Sequence, residues 1–135
     1  MALPNGAGGY QLGDGNLTEA VLSVQSIPTV LTGDTTLTGA QIAVGLVVCN
    51  KGSDAGLTVT TPTAALIDAA IPSAKVGSSF DLIICNNNNS GSSSTVTVAA
   101  GTGVTTYGSL TVARFGSAVY RFVKTGDAAW SAFLA

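Results

Sequence analysis

Short segments rich in valine and threonine recur from Ala20 onward, separated by glycine, asparagine and serine. Residues 57–60 (Leu-Thr-Val-Thr) and 95–98 (Thr-Val-Thr-Val) alternate strictly between an apolar and a polar side chain. Successive side chains of a strand point to opposite faces of its sheet, so this pattern predicts strands with one buried face. We therefore expect an all-β fold, an antiparallel β-sandwich or jelly-roll-like domain over residues 18–135. No internal repeat is detectable.

Three segments are apolar on both faces. In residues 79–85, Phe80, Leu82 and Ile84 alternate with Asp81, Ile83 and Cys85. This pattern predicts a strand that is buried on most of both faces. Residues 117–124 and 130–134 are also apolar on both sides, and one small pair of sheets does not readily cover so much apolar surface. We expect a subunit interface to supply the missing cover.

One or two short helical turns are expected between the strands. Thr38 and Gln41 have the spacing of a capping box, and Gly45 is placed to end that turn in the left-handed conformation. Thr63 is a predicted cap for residues 64–70, which end before Pro72 because the residue ahead of a proline avoids helical geometry.

Two further expectations concern side chains in and after the second helical turn. Leu66 and Ile67 are predicted to pack inward. Residues 86–94 contain only asparagine, serine and glycine. Such a polar run between two strands predicts an exposed loop.

Residues 1–17 are rich in glycine, which predicts an extended N-terminal arm. One interpretation is a disordered tail, the common fate of such termini. The other is that four apolar residues anchor the arm on a neighbouring subunit. These candidate partner-contact residues are Leu3, Tyr10, Leu12 and Leu17.

Composition argues against several classes of function. The chain contains no histidine, its charged residues make up 9%, and its net charge is −2. Histidine is the commonest proton carrier and metal ligand of enzymes, so an enzyme is not expected, and neither is a metal or another cofactor. The five basic residues are scattered, which predicts neither a nucleic-acid partner nor a membrane surface. The N-terminal residues lack the features of a secretion signal.

Few side chains are candidates for chemistry or ligand binding. Asp81 stands in an apolar strand, and we expect a structural bond, with Arg121 as a possible partner, rather than catalysis. Cys49 and Cys85 share no spacing with a metal or redox motif and are predicted to be buried free thiols. Trp130 is expected in a core or an interface, whereas Tyr107 remains a candidate aromatic platform for a sugar.

Three stretches of the chain form a familiar series. They are residues 37–42 (Leu-Thr-Gly-Ala-Gln-Ile), residues 61–81 from Thr61-Pro62 to Phe80-Asp81, and residues 120–126 (Tyr-Arg-Phe-Val-Lys-Thr-Gly) with Trp130. In this order they resemble a family of small tailed-bacteriophage virion proteins of the capsid-decorating, or cement, type. The resemblance implies a β-rich protein without enzymatic activity that assembles as a homotrimer on the capsid surface and binds the major capsid protein. It also implies synthesis in the bacterial host cytoplasm.

Two alternatives stay open beside a cement protein. A tail-fibre, tailspike or vertex module shares the same composition. A carbohydrate-binding β-sandwich module belongs to a different class and would use an exposed aromatic residue such as Tyr107.

Overall fold

The computed structural model describes residues 23–88, 91 and 94–135, in which β-structure predominates. The predicted arm of residues 1–17, with Leu3, Tyr10, Leu12 and Leu17, lies outside the described residues. In chain order the described elements are β1 (Thr29–Leu31), β2 (Thr35–Thr36), α1 (Gly39–Val44), β3 (Leu46–Cys49), β4 (Leu57–Thr60), α2 (Ala64–Ala70), β5 (Ser79–Asn86), β6 (Val96–Ala99), β7 (Val104–Tyr107), β8 (Thr111–Val112), β9 (Ser117–Gly126) and β10 (Ala129–Leu134).

The described strands form two sheets, and the chain passes repeatedly between them. The six-stranded sheet has the order β1-β3-β5-β9-β10-β7, and the four-stranded sheet has the order β2-β4-β6-β8. Helix α1 leads from β2 back to β3, and α2 leads from β4 back to β5. The fold therefore repeats a unit of strand, strand and helix. Strand β1 pairs with β3 through Thr29 and Val47, whereas β3 pairs with β5 through Leu46 and Ile83, which are further apart in the sequence. The two units therefore differ in length, and no regular repeat appears in the sequence.

The expected antiparallel arrangement is wrong for much of both sheets. Strands β1, β3 and β5 run parallel to one another, as do β2, β4 and β6, and β7 is parallel to β10. Within the described residues, antiparallel pairs are β5 with β9, β9 with β10, and β6 with β8. Parallel strands need long crossover connections, and here the glycine-rich and asparagine-rich turns join the two sheets rather than closing hairpins. Over the described residues the fold is β-rich with mixed sheets and two helices, and it is not purely all-β.

One hydrophobic core joins the inner faces of both sheets and both helices. Ile42 of α1 and Ile67 of α2 are fully buried in it. Burying a side chain of this size contributes about 1.5–3 kcal/mol. The sheets contribute Val47, Leu82, Ile84, Tyr120, Phe122 and Trp130 from the six-stranded sheet, and Leu57, Val59, Val96, Val98 and Val112 from the four-stranded sheet.

The caps of α1 and α2 confirm the predicted helical turns. The Thr38 hydroxyl accepts from Gln41 N at 3.1 Å, and Gln41 Oε1 accepts from Thr38 N at 2.9 Å. Gly45 ends α1 with φ of 82°. The Thr63 hydroxyl accepts from Leu66 N at 3.3 Å and begins α2.

Helix α2 differs from the prediction at one side chain. Ile67 is buried as expected, but Leu66 is 54% exposed. Adjacent helical residues point in directions about 100° apart, so a helix that packs through one narrow face buries only one of the two.

Candidate partner-contact surface

The six-stranded sheet has an apolar face turned away from the core, which we call the outer face. The sheet register shows which of its side chains are neighbours, because paired residues of adjacent strands point to the same side. The apolar and charged residues of the outer face are Val30, Leu46, Val48, Asp81, Ile83, Cys85, Val119, Arg121, Val123, Phe133 and Tyr107, and its small polar residues are Ser79, Thr105, Ser117 and Ser131.

Apolar side chains run across this outer face in adjacent rows. Leu46, Ile83 and Val119 form one row, since β3 pairs with β5 and β5 pairs with β9. Val30 and Val48 lie side by side in the next row. Val30 is 58% exposed and Ile83 is 37% exposed. Contiguous exposed apolar surface of this kind marks an interaction site more often than scattered single residues do.

Strand β5, predicted to be buried on most of both faces, is thus buried mainly on one face. In β5, Leu82 and Ile84 are buried, whereas Asp81 and Ile83 are exposed. No layer of the described residues covers the outer face at these positions. The alternation of the β5 side chains between the two faces was predicted correctly. The sequence of a strand does not show, however, whether another part of the protein packs on an apolar face.

Asp81 and Arg121 form an ion pair within the outer face. Arg121 Nε donates to Asp81 Oδ1 at 2.9 Å, and Arg121 Nη2 donates to Asp81 Oδ2 at 3.3 Å. These hydrogen bonds lower the pKa of Asp81 and raise the pKa of Arg121. The predicted structural bond of Asp81 is confirmed, although the carboxylate is exposed rather than buried.

Tyr107 and Phe133 extend the outer face to the edge strand β7. They are register partners, and their rings stack with centroids 4.9 Å apart and an interplanar angle of 7°. Tyr107 is 52% exposed and Phe133 is 40% exposed. The pair is the largest exposed aromatic feature of this sheet. Trp130, in contrast, lies in the core as predicted and contacts Phe80 edge-on.

Asp68 is the carboxylate with the densest set of partners among the described residues, and the sequence did not single it out. Its Oδ1 accepts from Trp130 Nε1 at 2.8 Å and from Lys124 Nζ at 2.9 Å, and its Oδ2 accepts from Ala128 N at 2.8 Å. The hydrogen bond from Lys124 is the main cause that lowers the pKa of Asp68. These contacts hold α2 against the turn between β9 and β10, so the role of Asp68 is structural.

Cys49 and Cys85 are both free, as predicted. They sit on neighbouring strands, where Val48 pairs with Cys85 and Cys49 pairs with Asn86. Cys49 therefore points into the core and Cys85 to the outer face. Burial, with a smaller contribution from Cys85, raises the pKa of the Cys49 thiol to about 11. Cys85 is only half-buried, which corrects the expectation that both thiols are buried.

The loop predicted to be fully exposed contains a buried amide network. Asn86 Nδ2 donates to Ser94 O at 2.7 Å and to Val112 O at 3.1 Å. Asn88 Oδ1 accepts from Gly52 N at 3.2 Å. Both asparagine side chains are buried. They supply hydrogen-bond partners to buried backbone groups of the neighbouring turns, which have no partner strand to pair with.

The described part of the chain brings together no group of three or more histidine, cysteine or acidic residues able to hold a metal ion. Neither α1 nor α2 is long and apolar enough to cross a membrane. Asp68 and Asp81, the acids whose pKa values are lowered, are each engaged by a separate cation.

Comparisons of the chain with protein-family models, with curated proteins and with solved structures find no match. The resemblance to capsid-decorating proteins therefore stays a prediction.

Proposed function

We propose that this protein is a non-enzymatic structural virion protein, a capsid cement protein that assembles with copies of itself and binds and stabilises the major capsid shell. The observation that carries the proposal is the exposed apolar outer face of the six-stranded sheet, with Ile83 at its centre. Burying such a face between subunits removes apolar surface from water, which drives permanent association.

A second copy of the chain is a suitable partner for the outer face. The face contains one acid and one base, Asp81 and Arg121, so it is compatible with a surface of its own composition. It contains few other charges, and apolar contacts of this kind are insensitive to salt. The same lack of titrating groups predicts an assembly that is unchanged between about pH 5 and 8. We expect the homotrimer that the resemblance implies.

In this proposal the two sheets are the layers of a β-sandwich, since their inner faces share one core. The oligomer lies on the capsid surface of a virion made in the bacterial host cytoplasm. Its partners are further copies of the chain and the major capsid protein. Leu3, Tyr10, Leu12 and Leu17 are proposed to tie neighbouring subunits together.

Sedimentation velocity tests the self-association. Ile83→Asp introduces a second carboxylate at the centre of the outer face. In the oligomer it would be buried near Arg121, which is already paired with Asp81. We expect the wild type to sediment as a trimer and Ile83→Asp as a monomer with the same circular dichroism spectrum. Val76→Asp is the matched control, because Val76 is an exposed valine outside the outer face. A wild type that stays monomeric at high concentration and has no affinity for capsids would contradict the proposal.

The stacked pair of Tyr107 and Phe133 supports a second candidate, a carbohydrate-binding module. Exposed aromatic rings stack on the apolar faces of sugars. Binding to a glycan array that is lost in Tyr107→Ala would favour this function over a cement protein. Occurrence of the domain fused to fibre repeats would favour the tail-fibre, tailspike or vertex module.

A further inference from the structure

The turn between β8 and β9 holds an aromatic residue in a backbone conformation that bulky side chains avoid. A hydrogen bond of 2.9 Å from Gly116 N to Ala113 O closes the turn, so Arg114 and Phe115 are its central residues. Phe115 has φ of 58°. A positive φ at the third residue is typical of type II turns, in which glycine or asparagine normally occupies that position. Phenylalanine at this position strains the backbone.

Core packing does not account for Phe115. Its side chain is 61% exposed, whereas Tyr120 and Phe122 on the following strand are almost completely buried. An exposed ring removes little apolar surface from water, so it offsets little of the strain. A strained backbone that stabilises no core is more often found at functional sites than elsewhere.

The turn is nevertheless held firmly. The Arg114 guanidinium lies over the phenyl ring, 4.8 Å from its centroid, and its Nη1 donates to Gly91 O. Gly116 O accepts from Asn86 N at 2.9 Å, and Val112 O accepts from the buried Asn86 side chain. Both ends of the turn are therefore fixed before any partner binds, which lowers the entropy cost of binding.

We propose that Arg114 and Phe115 form a docking tip that inserts the phenyl ring into an apolar pocket of another protein. Carboxylates at the rim of that pocket accept hydrogen bonds from the guanidinium. Aromatic residues and arginine are enriched among the residues that contribute most to protein interfaces. The ring supplies apolar contact, and the planar guanidinium supplies directed hydrogen bonds.

The charge of the tip favours a different protein over a second copy of this chain. The chain has only seven acidic residues. Asp34 accepts from Thr58 N, and Asp68 and Asp81 are each engaged by a cation. Three of the seven are thus engaged within the chain, so a second copy offers at most four carboxylates to the guanidinium. Naming the partner rests on the proposed function, under which it is the major capsid protein.

The experiment compares Phe115→Asn with Ala128→Gly. Ala128 has φ of 46°, and asparagine and glycine both tolerate positive φ, so each variant relieves backbone strain. The measurements are Tm and co-sedimentation with purified capsid shells assembled without this protein. We expect Phe115→Asn to raise Tm by about 2 °C and to weaken shell binding about tenfold or more. Ala128→Gly should fold normally and bind shells as the wild type does.

Each other outcome contradicts a specific part of the argument. A lower Tm or loss of folding in Phe115→Asn would make the ring a structural element and overturn the docking tip. Equal shell binding by the wild type and Phe115→Asn would also overturn it while leaving the proposed function intact. Shells that bind no version of the protein, including the wild type, would contradict the proposed function itself.

Discussion

At the scale of single residues, Asn86 connects three segments through one buried amide. Its Nδ2 donates to Ser94 O and Val112 O, and its Oδ1 accepts from Asn88 N at 3.1 Å. Asn86→Ala leaves these groups without that partner, so we expect the free energy of unfolding to fall by about 2–4 kcal/mol in urea denaturation. The exposed neighbour Asn87 provides the control. Asn87→Ala should change stability by less than about 0.5 kcal/mol, and equal losses would contradict the network's role.

Asp68 makes stability depend on acidic pH. Its pKa is lowered in the folded protein by the hydrogen bonds from Lys124 and Trp130. Its stabilising contribution is therefore present above the ordinary aspartate pKa of 3.8 and is lost as the pH falls through the lowered pKa. We expect Tm of the wild type to fall more steeply below about pH 4 than Tm of Asp68→Asn. Asp127→Asn removes the same charge from an exposed turn and should retain the wild-type slope. If Tm fell equally steeply with falling pH in all three proteins, Asp68 would not be the cause of the loss of stability in acid.

At the scale of elements, Gly39 sets how closely the two helices approach. A Cβ atom at Gly39 would lie 2.8 Å from Ala70 Cβ and 2.8 Å from Leu66 O, whereas a Cβ atom at Gly33 would meet nothing within 4 Å. Gly39→Ala should therefore push α1 away from α2 and cost about 1–3 kcal/mol in the free energy of unfolding. Gly33→Ala is the control and should not destabilise the protein. Denaturation of the two variants side by side distinguishes helix packing from a general effect of losing a glycine.

How much of each element was predictable depends on the range of the interactions that form it. The helices were predicted because their caps are local: Thr38 contacts a residue three positions away. The order of the strands in the sheets was not predicted, because strands far apart in the sequence pair with each other, as β5 and β9 do through Ile83 and Val119. The burial of Asn86 was also missed. A polar run usually marks an exposed loop, and only the neighbouring turns determine that this amide is buried.

At the scale of the whole molecule, the outer face and the docking tip are two distinct surfaces, each suited to a different kind of contact. The outer face is apolar and contains its own ion pair, which suits copies of the chain, whereas Arg114 and Phe115 present a cation that suits another protein. A single substitution should therefore affect one contact and spare the other. Under the proposed function, Ile83→Asp abolishes the oligomer while each monomer still presents Phe115.

The two thiols report directly on whether the outer face is covered. Cys85 lies on that face beside Val48 and Ser117, whereas Cys49 is buried in the core with a pKa of about 11. Thiolates are the reactive form, so Cys49 should not react with a maleimide in the folded protein. We expect Cys85 to react in the Ile83→Asp monomer and to be protected in the concentrated wild type, with peptide mass spectrometry identifying the labelled residue. Both thiols should react after denaturation. Equal labelling of Cys85 in the wild type and Ile83→Asp at every concentration would show that no partner covers the outer face.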